Sequence, residues 1–278
     1  MSSENYRPNR FQLLPEVVKN LLIINGLMFL ATYVIRNTYG FDLTEKLGLY
    51  FVGSPLFHPY QFISHLFMHG SIGHIFSNMF ALWMFGNVLE NYWGGKRFLL
   101  YYMITGLGAA FIHSLMMYLD LHSLQNAVQA YISAPTLDGF AQLVKHNAIP
   151  MEYSDKYRAV LGYWMDHPGN AMVIEKSKEL AEMLISFKAN SPTVGASGAV
   201  FGVLLAYGML FPNTVIYLYF AIPVKAKYFV IFYGLMELYL GFQNNPADNV
   251  AHFAHLGGML FGFILIKFWD QKNRDYFY

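Results

Sequence analysis

Six long apolar runs, at residues 17–35, 72–89, 98–119, 194–211, 228–242 and 250–269, limit what this chain can fold into. Runs of about 17–25 apolar residues match the ~30 Å hydrocarbon core of a bilayer. Inside lipid every backbone N–H and C=O must be satisfied within the protein, which for such runs means helices. The composition agrees with that solvent: 55% of the 278 residues are hydrophobic, 13% are charged, and the mean hydropathy is +0.32. The sequence therefore predicts an all-α polytopic membrane protein with six transmembrane helices. The fifth run is short, and the apolar stretch before it, 214–224 (TVIYLYFAIPV), is broken by Pro223, Lys225 and Lys227 and reads as interfacial.

Lysine and arginine near the span ends set the expected orientation. Arg7, Arg10 and Lys19 lie at the start of the first span, Lys96 and Arg97 between the second and third, and Lys225 and Lys227 between the fourth and fifth. Lys267, Lys272 and Arg274 close the sixth. All fall on one side of a six-span arrangement, against Arg36 and Lys46 on the other. This predicts cytoplasmic termini, with tails at 1–16 and 271–278, helices 1–3 in 17–120, helices 4–6 in 191–270, and an extracytoplasmic insertion at 121–190. The insertion holds 13 of the chain's 35 charged residues and shows apolar residues at helical spacing, as in AMVIEKSKELAEMLISFK. Pro135, Pro150 and Pro168 divide it into short helices. The polar N-terminal tail and the lack of a small-residue cleavage site predict that the first span stays as an anchor. With no cysteine there are neither disulfides nor thiolate metal sites. A net charge of +1 without a basic, aromatic patch predicts no nucleic-acid partner.

Polar residues inside spans are costly and turn toward the bundle interior. Three clusters stand out: Gly195-Ala-Ser197-Gly198 in the fourth span, His74-Ile-Phe-Ser-Asn78 in the second, and Ala254-His255-Leu-Gly-Gly258 leading to Gly262 in the sixth. In the expected topology all three lie at one depth, toward the external face. Glycines four apart, Gly198/Gly202 and Gly258/Gly262, suit close helix packing. At about 100° per residue, His255 lies within roughly 20° of Gly262 and about 60° of Gly258, so it projects from the glycine face. If the fourth and sixth spans pack through these glycines, Ser197 and His255 come within hydrogen-bonding reach. Histidine is the usual base for a serine nucleophile. His74 and Asn78, at i and i+4, with the N–H of Ser197 at a helix start, suit a developing oxyanion. Each cluster taken alone is better explained by helix packing or inter-helix hydrogen bonding, and it is the three together that point to chemistry.

Taken in order, these residues resemble the rhomboid intramembrane serine proteases. Phe67-Met-His69-Gly70, Gly86, Glu90, Gly94 and Arg97-Phe-Leu followed by Tyr101 or Tyr102 extend the resemblance, which runs from about Gly48 to Phe268 apart from the insertion. It implies a six-helix rhomboid-like bundle that hydrolyses peptide bonds in or near transmembrane segments of other membrane proteins. Ser197 would be nucleophile, His255 general base and then acid, and His74 with Asn78 the side-chain oxyanion donors. The partners implied are transmembrane substrates and membrane lipids, with no cofactor and no metal. The location expected is a bacterial-type plasma (inner) membrane. The family's dyad requires no aspartate, and none stands beside His255 in its span. Phe201, one turn after Ser197, would pack against the base. Two features depart from the pattern. The insertion is much longer than the family's loop at that point, and the first loop has Tyr60-Gln61 in place of a Trp-Arg pair.

Water for the second half-reaction could pass His65, His69, Ser71, Asn249 and His252, which equally suit an interface. Glu237 in the fifth span reads as an interior hydrogen-bonding group without a catalytic role. A zinc enzyme built on His65, His69, His74, His252 and His255 lacks HExxH and leaves Ser197 unexplained. A transporter would place its polar groups at the midplane. The remaining alternative is a rhomboid-like protein that binds membrane helices without cutting them.

Overall fold

The computed structural model describes residues 11–218, 221–243, 245, 248 and 250–274, with side chains as far as residue 270. Helix α1 (Glu16–Tyr39) leads through short helices α2 (Thr44–Leu47) and α3 (Gln61–Ser64) to α4 (Ile72–Ala81). A π turn at Leu82–Gly86 joins α4 to α5 (Asn87–Trp93), and Gly94, at φ +80°, breaks the chain before α6 (Gly95–Ser133). Then come α7 (Leu137–His146), α8 (Met151–Asp166), α9 (Ala171–Ala189) and α10 (Ser197–Leu210). A hairpin of β1 (Val215–Leu218) and β2 (Ile222–Lys225) leads to α11 (Ala226–Gln243) and α12 (His252–Arg274). Among the described residues, four helical segments are long and apolar enough to cross a membrane: Glu16–Tyr39, Ile72–Trp93, Gly95–Ser133 and His252–Asp270. The expected fourth span is a 14-residue helix, shorter than a full crossing. Most of its residues are buried against neighbouring helices.

The helices alternate in direction. The start of α1 is held against the end of α5 by Glu90, whose carboxylate accepts from the N–H groups of Val17 (2.9 Å) and Val18 (2.7 Å). These are N–H groups with no partner in their own helix, and a negative charge at a helix N-terminus is favoured by its dipole. Helices α10 and α12 run parallel to each other and antiparallel to α6. A Cβ on Gly258 would lie 1.8 Å from the carbonyl oxygen of Gly198, and one on Gly198 would lie 2.3 Å from the Cβ of Ala109. Farther along, the atoms nearest the second pair of glycines come from α6. The Tyr101 ring of α6 lies against Gly262 and its hydroxyl donates to the Gly202 carbonyl at 2.8 Å. The expected glycine packing of two helices is thus a packing of three.

Two segments carry structure that the sequence reading did not specify. The run 214–224 folds as an antiparallel hairpin, Val215 opposite Lys225 and Leu218 opposite Ile222, consistent with its β-branched and aromatic residues. Helix α6 continues without a break through residue 121 to Ser133. At 39 residues it is about 58 Å long, nearly twice what a bilayer core requires. Its far end joins α7, α8 and α9 around a second core that includes Val128, Phe140, Tyr157, Trp164 and Leu180. The breaks between these helices fall at Pro135, Pro150 and Pro168. In this core the Tyr157 hydroxyl donates to the Leu180 carbonyl at 2.6 Å, and burial pushes the phenol up to about 12.

The Gly198–Gly258 contact yields a stability test. Gly258→Ala should destabilise the protein by about 1–3 kcal/mol or more through overpacking. Gly26→Ala, at an exposed helical position with no atom within 4 Å of the added carbon, should be neutral or gain up to about 1 kcal/mol. Thermal melting of both variants in detergent checks this.

Candidate active site

Extended chain precedes α10 and delivers Ser197 to the helix start. Thr193 pairs with Leu49 in both directions at 2.8 Å, and the Gly195 N–H donates to the His65 carbonyl at 2.9 Å. Gly195 has φ +130°, a conformation L side chains rarely adopt, and a Cβ there would lie 2.8 Å from the His74 ring and 3.6 Å from Ser197 Oγ. The first bond inside α10 is from Val200 N–H to the Ala196 carbonyl, so the N–H groups of Ser197, Gly198 and Ala199 have no partner within their helix.

His255 and Ser197 come together, with His255 Nε2 2.8 Å from Ser197 Oγ. The imidazole is fixed on two further sides. Phe201 stacks on it at 4.2 Å between centroids and 6° between planes. Its Nδ1 lies 2.8 Å from Glu237 Oε2, an oxygen that also receives His252 Nδ1 at 2.6 Å. His252 does not reach Ser197, and its Nε2 faces Asp248 Oδ2 at 3.0 Å. The hydrogen bond to His252 holds the Asp248 carboxyl below the usual carboxylate range. Glu237, His252 and His255 are all buried.

His74 is half-buried with its ring over Gly195, edge-on to His69 at 5.0 Å between centroids. Asn78, one turn along α4, is buried, and its Nδ2 makes no hydrogen bond within the described residues. Both therefore present polar groups on the side of α4 that faces the start of α10. The arrangement can move a proton from an alcohol to an imidazole and offers N–H donors beside that alcohol.

Of the residues suggested for a water path, His65, Ser71 and His252 make hydrogen bonds within the protein. His65 Nδ1 donates to the Gln61 carbonyl at 2.8 Å, and burial pushes the ring down to about 4, which leaves it neutral. Ser71 caps α4, accepting from the His74 N–H at 3.1 Å. His69 is buried with neither ring nitrogen bonded within the described residues. Asn249 lies outside the described residues. Sequence reasoning missed Gln61 as the anchor of the first loop. It is fully buried, donates to the carbonyls of Lys46 (3.2 Å) and Leu56 (3.1 Å), and accepts from the His58 N–H (3.0 Å). It also missed Glu237 as the neighbour of His255, a contact that brings together residues 18 apart on two helices.

The five histidines weighed as zinc ligands are not gathered. Glu237, His252 and His255 instead have donor atoms within 4.8 Å of one another, the geometry of a possible metal site. Their O···N distances of 2.6 and 2.8 Å are hydrogen-bond lengths. Ligands about 2.0–2.1 Å from one tetrahedral ion would stand about 3.3 Å apart. Protons rather than an ion fit between these atoms.

The family model described as Rhomboid domain matches residues 57–127 and 172–269, well over half of the sequence, and the chain belongs to the rhomboid family. The gap in the match covers the end of α6 and all of α7 and α8. RHOMBOID-like protein 12, mitochondrial, of Arabidopsis thaliana is 26% identical over 196 residues, 70% of this chain and 42% of that protein. An uncharacterized mitochondrial rhomboid protein of Schizosaccharomyces pombe is 35% identical over 86 residues, 29% of this chain and 22% of its own. The chain spans less than half the length of these curated relatives. Membership makes it a membrane protein. The bacterial-type plasma membrane expected from the sequence finds no support in these relatives, both named as mitochondrial.

Because any Cβ at Gly195 would press on His74, Gly195→Ala should slow reaction of Ser197 with a fluorophosphonate at least about ten-fold without loss of helix content. Mass spectrometry of labelled protein with circular dichroism tests this.

Proposed function

We propose that the chain is an intramembrane serine endopeptidase that cleaves peptide bonds in or near transmembrane segments of other membrane proteins. The observation that carries this reading is the 2.8 Å approach of His255 Nε2 to Ser197 Oγ at a helix start inside a rhomboid-family bundle. Ser197 attacks the carbonyl carbon while its proton passes to His255, which then protonates the leaving amine. The N–H of Ser197, His74 and Asn78 Nδ2 stabilise the oxyanion, a contribution of about 3–4 kcal/mol for a single donor in such sites. Water repeats the sequence on the acyl-enzyme. Substrates are single- or multi-span membrane proteins, and lipid surrounds the bundle.

Incubation of the purified protein with a panel of single-span membrane proteins, followed by mass analysis of the products, tests the reading. Ser197→Ala should abolish both cleavage and fluorophosphonate labelling with little change in melting temperature. His255→Ala should reduce turnover by orders of magnitude, whereas His252→Ala should keep substantial activity. Labelling that survives Ser197→Ala, or an inactive folded His252→Ala beside an active His255→Ala, overturns the assignment. Intact substrates throughout would favour the non-cutting alternative, a binder of membrane helices.

We further propose that the end of the bundle holding Lys19, Lys96, Arg97 and Lys227 faces the cytoplasmic-type side, with both termini, and that the site and the 121–190 insertion face the other. In this cysteine-free chain, expressed in a bacterial inner membrane, Asp155→Cys should react with an impermeant thiol reagent in intact cells while Lys96→Cys stays protected. Both positions are exposed. The opposite pattern inverts the topology.

A further inference from the structure

Glu237 is a buried carboxylate for which the Ser–His reading has no use. It is a carboxylate in the middle of α11, 5% exposed and flanked in sequence by Met236 and Leu238. Burying such a group is unfavourable unless it is paired and hydrogen-bonded. Its pairing is specific: one oxygen, Oε2, receives His255 Nδ1 at 2.8 Å and His252 Nδ1 at 2.6 Å. A carboxylate oxygen accepts, so both Nδ1 atoms donate. For His255 this decides the tautomer. A neutral ring with its proton on Nδ1 has its free lone pair on Nε2, the atom that faces the Ser197 hydroxyl at 2.8 Å. The opposite tautomer would direct an N–H at that hydroxyl and could not take its proton. His252 lies between two carboxylates, Nδ1 toward Glu237 and Nε2 toward Asp248, and a ring donating from both nitrogens carries a positive charge. One cation between two anions leaves the cluster with a single net negative charge, beside the face of His255 remote from serine.

We propose that Glu237 is a positioning residue for hydrolysis, holding His255 as the Nδ1–H tautomer and balancing the charge it acquires, with His252 and Asp248 holding the carboxylate in place. The inference rests on the proposed Ser197–His255 reading and extends it from a pair to a Ser–His–Glu arrangement whose acid comes from a neighbouring helix. As Ser197 Oγ bonds to the carbonyl carbon, its proton moves to His255 Nε2. The Nδ1 proton stays on His255, donated to Glu237, which remains ionised. The Nε2 proton then goes to the leaving nitrogen as the C–N bond breaks. Phe201 restrains the imidazole from its face, and Glu237 restrains it in its plane.

The test uses the full-length protein in detergent with a cleavable transmembrane peptide. Glu237→Gln keeps the size of the side chain but can offer an N–H to His255 Nδ1, so the wrong tautomer becomes available. It should lower kcat about a hundred-fold or more with KM changed less than about two-fold. Glu237→Asp should recover part of the loss, and fluorophosphonate labelling of Ser197 should slow in parallel. A kcat for Glu237→Gln or Glu237→Ala within two-fold of the parent overturns the proposal, as does loss of parent activity on treatment with EDTA, which would make the cluster a metal site. Nitrogen-15 NMR of histidine-labelled protein provides a readout independent of turnover. The parent should show His255 protonated on Nδ1, with that state lost or mixed in Glu237→Gln. An unprotonated Nδ1 in the parent overturns the positioning role even if cleavage occurs. If no substrate is cut but the tautomer follows Glu237, the hydrolytic reading fails while the positioning of His255 stands.

Discussion

The backbone contact between Gly198 and Gly258 sets the distance on which the site depends. In lipid there is little hydrophobic force between helices, so association rests on packing and inter-helix hydrogen bonds. A carbonyl oxygen 1.8 Å from where a Cβ would stand leaves no room for any other residue at 258. Ser197 precedes one glycine and His255 lies nearly a turn before the other, so the separation of the two backbones becomes the separation of hydroxyl and imidazole. Helix α6 forms the back wall: Ala109 fits against Gly198, Ile112 and Ala109 against Gly257, and Thr105 against Gly202. Small residues therefore do more than admit close approach. They fix the relative height of three helices.

The low dielectric imposes the second constraint, because polar groups in the bundle need partners. Several buried groups find them across elements distant in sequence. Gln61 bonds the loop after α1, Glu90 caps α1 from α5, and Tyr101 reaches the Gly202 carbonyl. Not every buried group is satisfied, and Asn25 Oδ1, Arg97 Nε and the Tyr102 hydroxyl lack hydrogen-bond partners among the described residues. The amide nitrogen of Asn78 and both ring nitrogens of His69 are buried without a partner among the described residues, and the first three N–H groups of α10 lack intrahelical acceptors. Unpaired N–H groups beside the Ser197 hydroxyl are what the proposed reaction would require where charge develops.

Different physical signals explain what could be read from the chain and what could not. Ser197 and His255 were legible because glycine spacing fixes a helix face, and a face locates a neighbour without knowledge of the third helix. The involvement of α6 was not, since Ala109, Thr105 and Tyr101 are unremarkable in an apolar run. Glu237 was visible as an anomaly, but its partner lies on another helix and a single carboxylate carries no periodicity. The full length of α6 was not legible, because hydropathy falls near residue 120 while helix-compatible residues continue until Pro135 stops them. The hairpin was hidden by its apolar composition, although Val215, Ile216 and Tyr217 are the residue types that favour a strand.

The same connectivity ties the insertion to the site. It leaves the bundle as an uninterrupted continuation of α6 and returns through α9 directly into the extended segment that ends at Ser197. The return is fastened at successive points: Lys188 to Asp120 of α6 at 3.3 Å, Asn190 to Ser54 at 2.7 Å, Thr193 to Leu49 and to His113, and Gly195 to His65. A loop of nearly seventy residues without structure would leave the start of α10 poorly registered, since chain entropy would work against each of these bonds. Folding the excursion around its own core, on a helix already anchored in the bundle, removes most of that freedom before the chain reaches Thr193. The insertion can thus vary in size while the six residues before Ser197 remain held by the first loop and α6.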